Sequence, residues 1–82
     1  MVIVDSEPLF EKKIKKINNI SVKTQVKKQI KKIINSPIVG KPMRYSRKGT
    51  REVYVAPFRL SYLYIKEKDK IVFLDLYHKD KQ

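Results

Sequence analysis

The sequence predicts an α+β fold in which an N-terminal strand and a helical hairpin pack on a small, mostly antiparallel sheet, in the order β-α-α-β-β-β. Two observations predict this architecture. Apolar residues recur every three or four positions in the first half, as in amphipathic helices, and alternate with polar residues after Arg51, as in strands. With 82 residues, 41% of them hydrophobic, the chain is expected to form a single domain, residues 1–82, around one small core.

The first half contains the predicted helices. Residues 2–4 form a short β-branched run that predicts an edge strand. Ser6 is expected to cap a first helix of roughly 11 residues, and Ser21 a second of roughly 14, which ends before Pro37. Their apolar faces would consist of Phe10, Ile14 and Ile17 in the first helix and Val22, Val26, Ile30, Ile33 and Ile34 in the second.

The second half contains three predicted strands, Arg51–Val55, Phe58–Ile65 and Ile71–Tyr77. If Ala56-Pro57 is a two-residue turn, Tyr54 lies opposite Arg59 and Glu52 lies opposite Ser61. Both Tyr54 and Arg59 would then point away from a core face formed by Val53, Val55, Phe58, Leu60, Tyr62 and Tyr64. A wider turn would shift the register by one residue and exchange the two faces.

Composition restricts the classes of function. The formal net charge of +12 favours a polyanionic partner, which could be nucleic acid, an acidic protein or an anionic membrane surface. The absence of cysteine excludes disulfides and thiolate metal sites, and a single histidine argues against a transition-metal site, so we predict neither metal nor cofactor. The sequence has no apolar run long enough to span a membrane and no signal-peptide pattern, so we predict a cytoplasmic protein.

The arginines point to the functional surface. All four arginines lie in the segment from Arg44 to Arg59, whereas the basic residues of the predicted helices are all lysines. The planar guanidinium group of arginine forms bidentate hydrogen bonds with phosphate, so we expect the phosphate-binding surface in the second half of the chain. Tyr45 and Tyr54, close to these arginines, are candidates for base stacking. The helical lysines are expected to form a solvated face, with ribosomal RNA or an acidic partner as the alternative role; they are Lys12, Lys13, Lys15, Lys16, Lys27, Lys28, Lys31 and Lys32.

Three segments, in this order, resemble the RelE/ParE toxin superfamily. They are Gly40-Lys41-Pro42-Met43-Arg44, then Tyr54-Val55-Ala56-Pro57-Phe58-Arg59-Leu60-Ser61-Tyr62, then Leu76-Tyr77-His78-Lys79-Asp80. The superfamily combines a helical hairpin, a Gly-Lys-Pro-Leu turn, an aromatic-Arg-aliphatic-x-Tyr strand and a last strand that ends near His-Arg. The resemblance covers nearly the whole chain. It implies a toxin of a toxin–antitoxin pair, neutralised by a RelB-like antitoxin that wraps it.

The resemblance also implies an activity, cleavage of translated mRNA on the ribosome, as in RelE-like members. Cleavage through the 2′-OH requires a base, a group that stabilises the scissile phosphate and an acid for the 5′-oxygen. By resemblance, Arg59 stabilises the phosphate, Lys79 is a candidate acid and His78 is a candidate proton-transfer group, whose ordinary pKa of about 6.5 suits that role. The expected RNA-binding residues are Lys41, Arg44, Arg47, Lys48 and Arg51.

The sequence departs from the superfamily pattern at the strand before the hairpin. Glu52 and Tyr54 stand where RelE-like enzymes often have basic residues, and the C-terminal tyrosine common in the family is absent. Glu52 is a candidate base, and Tyr54 or Tyr77 is a candidate substitute for the missing tyrosine. These departures leave two alternatives open: a ParE-like toxin that poisons DNA gyrase without nuclease chemistry, and a non-catalytic nucleic-acid-binding module. They also leave open a structural role for Arg59, in a salt bridge to Glu52 or Asp75.

Overall fold

The computed structural model describes residues 2–43 and 49–78. Its elements are β1 (Ile3–Ser6), α1 (Pro8–Lys15), α2 (Ile20–Asn35), β2 (Lys41–Pro42), β3 (Thr50–Val55), β4 (Phe58–Ile65) and β5 (Lys70–His78), with a turn of 3-10 helix at Lys66–Lys68. The strands form one five-stranded sheet in the order β1-β5-β4-β3-β2. The pairing of β1 with β5 is parallel and the other pairings are antiparallel, which confirms the predicted α+β architecture.

The helix boundaries differ from the prediction at both caps. Ser6 still belongs to β1, where it lies opposite Phe73, so α1 begins only at Pro8. The second helix is capped by Asn19 rather than Ser21, because the Asn19 side chain accepts a hydrogen bond of 3.2 Å from the Val22 N–H group. The helices therefore contain 8 and 16 residues. Within the described residues, no helix is long and apolar enough to cross a bilayer.

Both helices bury their predicted apolar stripes against one face of the sheet, which we call the inner face. The ring of Phe10 in α1 stacks on Phe73 in β5, with 5.2 Å between ring centroids. The buried core consists of Phe10, Ile17, Val26, Ile33, Val55, Leu60, Tyr62, Ile71, Phe73 and Leu76. This packing confirms the predicted faces of the helices and of the β3–β4 hairpin.

The hairpin register is the one expected for a two-residue turn. Val55 lies opposite Phe58, Tyr54 opposite Arg59 and Glu52 opposite Ser61, and the Ala56–Pro57 peptide bond is cis. Arg59 and Tyr54 therefore lie on the face of the sheet that the helices do not cover, which we call the outer face. The short strand β2, for which the sequence predicted no strand, extends the sheet beyond β3.

Tyr62 links the segment between α2 and β2 to the sheet through two hydrogen bonds. Its hydroxyl group accepts a hydrogen bond of 2.9 Å from the Gly40 N–H group and donates one of 2.7 Å to the Pro37 carbonyl oxygen. A side chain at position 40 would not fit, because a Cβ atom there would lie 2.7 Å from the Tyr62 hydroxyl oxygen. The Arg51 guanidinium group adds hydrogen bonds to the carbonyl oxygens of Ile38 and Gly40.

We expect Tyr62→Phe to lower the free energy of unfolding by about 1–3 kcal/mol, because it leaves a buried N–H group and a carbonyl oxygen without their partner. The matched control is Tyr64→Phe, since the Tyr64 hydroxyl donates to Asp69 at the exposed surface. That control should cost less than about 0.5 kcal/mol. Urea unfolding measures both, and equal costs would show that the Tyr62 hydroxyl group does not link the segment between α2 and β2 to the sheet.

Candidate functional site

Three side chains from three neighbouring strands meet on the outer face. Arg59 on β4 lies opposite Tyr77 on β5, and Glu52 on β3 lies two residues before Tyr54, the other partner of Arg59. The Arg59 Nη1 atom donates a hydrogen bond of 2.6 Å to Glu52 Oε1, and the Tyr77 hydroxyl group donates one of 2.7 Å to Glu52 Oε2. One carboxylate therefore holds a guanidinium group and a phenol together, and we call these three residues the outer-face triad.

A β-bulge in β5 brings Tyr77 to the outer face. The pairing of β4 with β5 shifts between Ser61 and Tyr62, so Leu74 has no residue directly opposite it. A bulge of this kind reverses the alternation of side chains along the rest of the strand. Phe73 and Leu76 consequently both face the core, and Tyr77 points outward beside Arg59.

Burial makes the triad a partly desolvated ionic site. The side chains of Glu52 and Arg59 are 19% and 36% exposed. The Arg59 Nε atom is buried and has no acceptor among the described residues. A buried N–H donor of a charged group without an acceptor is uncommon in folded proteins. Arg59 thus has Nη1 committed to Glu52 and Nε buried, while 36% of its side chain is exposed and can meet an anion.

Tyr77 is a hydrogen-bond donor at neutral pH. Burial is the largest cause that raises the pKa of Tyr77, from 10.0 to about 12, followed by its hydrogen bond to Glu52 and the negative charge of that carboxylate. The nearby charge of Arg59 acts in the opposite direction. The phenol therefore keeps its proton, so it can orient Glu52 but cannot serve as a base.

A cleft of about 430 Å³ adjoins the triad at the β3 side of the sheet, and we call it the edge cleft. Its lining residues come from α2, the segment before β2, β2 itself, β3 and β4; they are Gln29, Lys32, Val39, Lys41, Glu52, Val53, Tyr54 and Arg59. Tyr54, which is 56% exposed, and the cations Lys32 and Lys41 make this cleft a polar extension of the triad.

The structure brings together some of the sequence-predicted site residues and separates others. Arg59, Glu52, Tyr54 and Lys41 line the edge cleft. Arg51 points to the helix side, where it donates to two backbone carbonyl oxygens. The remaining predicted residues Arg44, Arg47, Lys48 and Lys79, and the stacking candidate Tyr45, lie outside the described residues.

His78 lies on the inner face, away from Arg59. Its ring packs edge-on against Phe58, with 5.9 Å between ring centroids. The bulge at Leu74 explains this position, since strict alternation from Phe73 would have placed His78 outward and Tyr77 inward. A catalytic role for His78 is still a prediction from the resemblance. In the described part of the chain, no cluster of histidine, aspartate and glutamate side chains could hold a metal ion.

Two residues near the site had weaker sequence signals. Tyr77 was predicted only as a candidate substitute for a missing tyrosine, and Lys32 as part of a solvated face, with ribosomal RNA or an acidic partner as the alternative. The outward direction of Tyr77 depends on the bulge, for which Leu74 carries no sequence signal such as glycine. The position of Lys32 depends on how α2 lies along β3. Periodicity within either element could not have revealed these placements.

Comparison with known proteins identifies the family. The family model described as the ParE toxin of type II toxin–antitoxin systems, parDE, matches residues 4–82. A search of curated proteins finds no match.

Solved structures share the fold. The isolated E. coli RelE toxin superposes with a TM-score of 0.82 and 19% identity, over 100% of this chain and 88% of that one. A chain of the E. coli DinJ–YafQ complex superposes with a TM-score of 0.80 and 19% identity, over 98% of this chain and 96% of that one. A chain of the toxin–antitoxin complex RelBE2 from Mycobacterium tuberculosis superposes with a TM-score of 0.77 and 23% identity, over 95% of this chain and 98% of that one. The family match, which spans almost the whole chain, and the shared fold lead to one conclusion: the chain belongs to the RelE/ParE superfamily, as a ParE-family toxin of a type II toxin–antitoxin system.

Proposed function

We propose that this toxin is a ribosome-dependent endonuclease that cleaves translated mRNA without a metal, and that the outer-face triad carries the reaction. The observation that supports this proposal most directly is the Glu52 carboxylate, held at 2.6 Å by Arg59 and at 2.7 Å by Tyr77. A carboxylate, a guanidinium group and a phenol in one partly buried site supply a base and a phosphate-binding group for scission through the 2′-OH.

The proposed reaction assigns one role to each residue. Glu52 takes the proton of the 2′-OH through a lone pair that Arg59 and Tyr77 leave unused, since a carboxylate has about four acceptor sites. The 2′-oxygen then attacks the phosphorus atom, the bond to the 5′-oxygen breaks, and a cyclic 2′,3′-phosphate and a 5′-hydroxyl group form. Arg59 stabilises the charge that develops on the phosphate through its guanidinium side chain, which is 36% exposed beside Glu52. Tyr77 orients the Glu52 carboxylate.

The acid that protonates the 5′-oxygen is proposed from the resemblance. Lys79 follows His78 at the end of β5, the strand that also carries Tyr77, and we retain it as the candidate acid. The expected RNA-binding residues Arg44, Arg47 and Lys48 lie between β2 and β3, the strands that flank the edge cleft, and we retain their role as well.

The partner proposed for regulation is a cognate antitoxin. The structures from M. tuberculosis and E. coli that share the fold are described as toxin–antitoxin complexes. With a net charge of +12, this chain should receive an acidic or amphipathic antitoxin segment. We also propose that the protein acts in the cytoplasm, where translated mRNA is found.

A second candidate function is inhibition of DNA gyrase without nuclease chemistry. Two observations favour it: the family model that matches residues 4–82 is that of ParE toxins, and Glu52 neutralises much of the charge that Arg59 would offer to RNA. An SOS response together with intact mRNA would support this candidate over the nuclease.

We expect Glu52→Gln and Arg59→Ala each to reduce cleavage of a translated mRNA by about 100-fold or more, because they remove the proposed base and the proposed phosphate-binding group. Primer extension in a purified translation system measures the rate. Glu67→Gln is the matched control, an exposed carboxylate outside the triad, and should cleave at the wild-type rate. Thermal melts must show that each variant is folded, and wild-type cleavage by folded Glu52→Gln would exclude Glu52 as the base.

The raised pKa of Tyr77 predicts that the folded protein loses stability in alkaline solution. The unfolded phenol loses its proton near pH 10, whereas the folded one, with its pKa raised to about 12, keeps the proton longer. Its stabilising contribution is complete below pH 10 and should disappear as the pH rises from 10 to 12. In urea unfolding, Tyr77→Phe should therefore show a shallower decline of stability in this range than the wild type.

Absorbance at 295 nm tests the cause of this shift. Glu52→Gln removes the negative charge that raises the pKa of Tyr77, so the latest tyrosine ionisation should move to lower pH in that variant. Tyr62 and Tyr64, whose pKa values are also raised, are present in every variant and cancel in the comparison. Identical titration curves for the wild type and Glu52→Gln would contradict the contact between Tyr77 and Glu52.

A further inference from the structure

The edge cleft begins at the triad and continues beyond it. Strand β2 starts at Lys41, opposite Glu52, so in the described strands the stretch of β3 after Glu52 has no β2 residue beside it. Helix α2 flanks this stretch and supplies Gln29 and Lys32 to the cleft. A groove therefore leads from Arg59 on the outer face, past Tyr54, to α2 at the edge of the sheet.

The lining of the edge cleft suits a nucleotide. Lys32 and Lys41 add two positive charges to the lining, Lys41 from the position opposite Glu52. Glu52, the acidic residue in the lining, already accepts hydrogen bonds from Arg59 and Tyr77. The Tyr54 ring is 56% exposed at the mouth of the cleft, where a flat aromatic surface can stack on a base. The Gln29 side-chain amide can both donate and accept hydrogen bonds at the edge of a base.

We infer that the edge cleft is a second nucleotide-binding subsite for single-stranded RNA, next to the scissile phosphate. Lys32 and Lys41 bind the neighbouring backbone phosphate, Tyr54 stacks on the base attached to it, and Gln29 contacts the base edge. This inference rests on the proposed function, because it assigns a substrate segment to the cleft that adjoins the triad. It separates binding of the flanking nucleotide, by Lys32, Lys41 and Tyr54, from catalysis by Glu52 and Arg59.

The cations of the lining, Lys32, Lys41 and Arg59, favour RNA over a protein segment as the occupant. Two lysines, a glutamine and an exposed tyrosine surround the cleft, while the apolar lining side chains are those of Val39 and Val53. A protein helix that binds in a groove needs apolar contacts at several successive turns. Phosphate binding, by contrast, needs cations near the backbone and tolerates any base.

The test uses a short single-stranded RNA with 2′-O-methyl groups, which cannot be cleaved through the 2′-oxygen, and measures its binding by fluorescence anisotropy over a series of salt concentrations. Lys32→Gln and Lys41→Gln should each weaken binding about five- to tenfold. Each should also reduce the slope of log affinity against log salt by about 0.7, as expected for the loss of one phosphate contact to a single strand. Lys31→Gln is the matched control, since Lys31 is exposed on the same helix and does not line the cleft; it should change affinity less than about twofold.

The stacking contact has its own test in the same assay. Tyr54→Ala should weaken binding about tenfold, whereas Tyr54→Phe, which keeps the ring, should bind like the wild type. Equal losses for Lys31→Gln and Lys32→Gln would show a diffuse basic surface and overturn the subsite. No loss for Tyr54→Ala, or no binding by the wild type, would overturn it as well.

Failure of the subsite and failure of the proposed function give different results. A wild type that cleaves mRNA, together with cleft variants that bind the uncleavable RNA like the control, would refute the subsite and leave the nuclease intact. Selective losses for the cleft variants, together with uncut mRNA in the translation system, would support the subsite and refute the nuclease. Direct binding of a labelled acidic peptide that is lost in Lys32→Gln, without RNA binding, would assign the cleft to a protein and overturn the inference.

Discussion

The register of β3, β4 and β5 is the constraint on which the candidate site depends. Because side chains alternate between the two faces, a slip of one residue would turn Arg59 and Glu52 toward the helices and expose Leu60 and Tyr62. Leu60 and Tyr62 are 0% exposed, so such a slip would remove two fully buried side chains from the core. Hydrophobic burial on the inner face thereby determines which charged groups meet on the outer face. The bulge at Leu74 extends the same arrangement to β5 and directs Tyr77 to Glu52.

The electrostatics of the site differ from those of the chain as a whole. The chain carries a net charge of +12, yet the centre of the site is the ion pair of Arg59 and Glu52, and the Tyr77 phenol donates a hydrogen bond to the Glu52 carboxylate. In the proposed function, attraction of RNA is therefore assigned to lysines around the triad, and Arg59 to the scissile phosphate at close range. A carboxylate in this position would repel RNA if unpaired, but Arg59 offsets its charge while keeping it available as a proton acceptor.

Much of the fold could be predicted from the sequence, because its signals are local. The stripe through Phe10, Ile14 and Ile17 identified the buried face of α1, and alternation after Arg51 identified the core side of the hairpin. The pair of Tyr54 and Arg59 followed from the two-residue turn. The relation between Arg59 and the end of β5 could not be predicted, because it depends on a bulge that no glycine marks. His78 was expected at the site from the resemblance, and Tyr77 only as one of two candidate substitutes for a missing tyrosine. The capping of α2 by Asn19 was missed because Ser21 is also a favourable cap residue.

The central claim is that the outer-face triad cleaves translated mRNA, and the most direct test is to map mRNA 5′ ends in a bacterial host before and after induction of the wild-type chain. We expect new ends inside reading frames, in a fixed position relative to the codon, that disappear when translation initiation is blocked. A parallel measurement of plasmid supercoiling reports on gyrase. Growth arrest with intact mRNA and altered supercoiling would contradict the nuclease and favour the gyrase-inhibiting function.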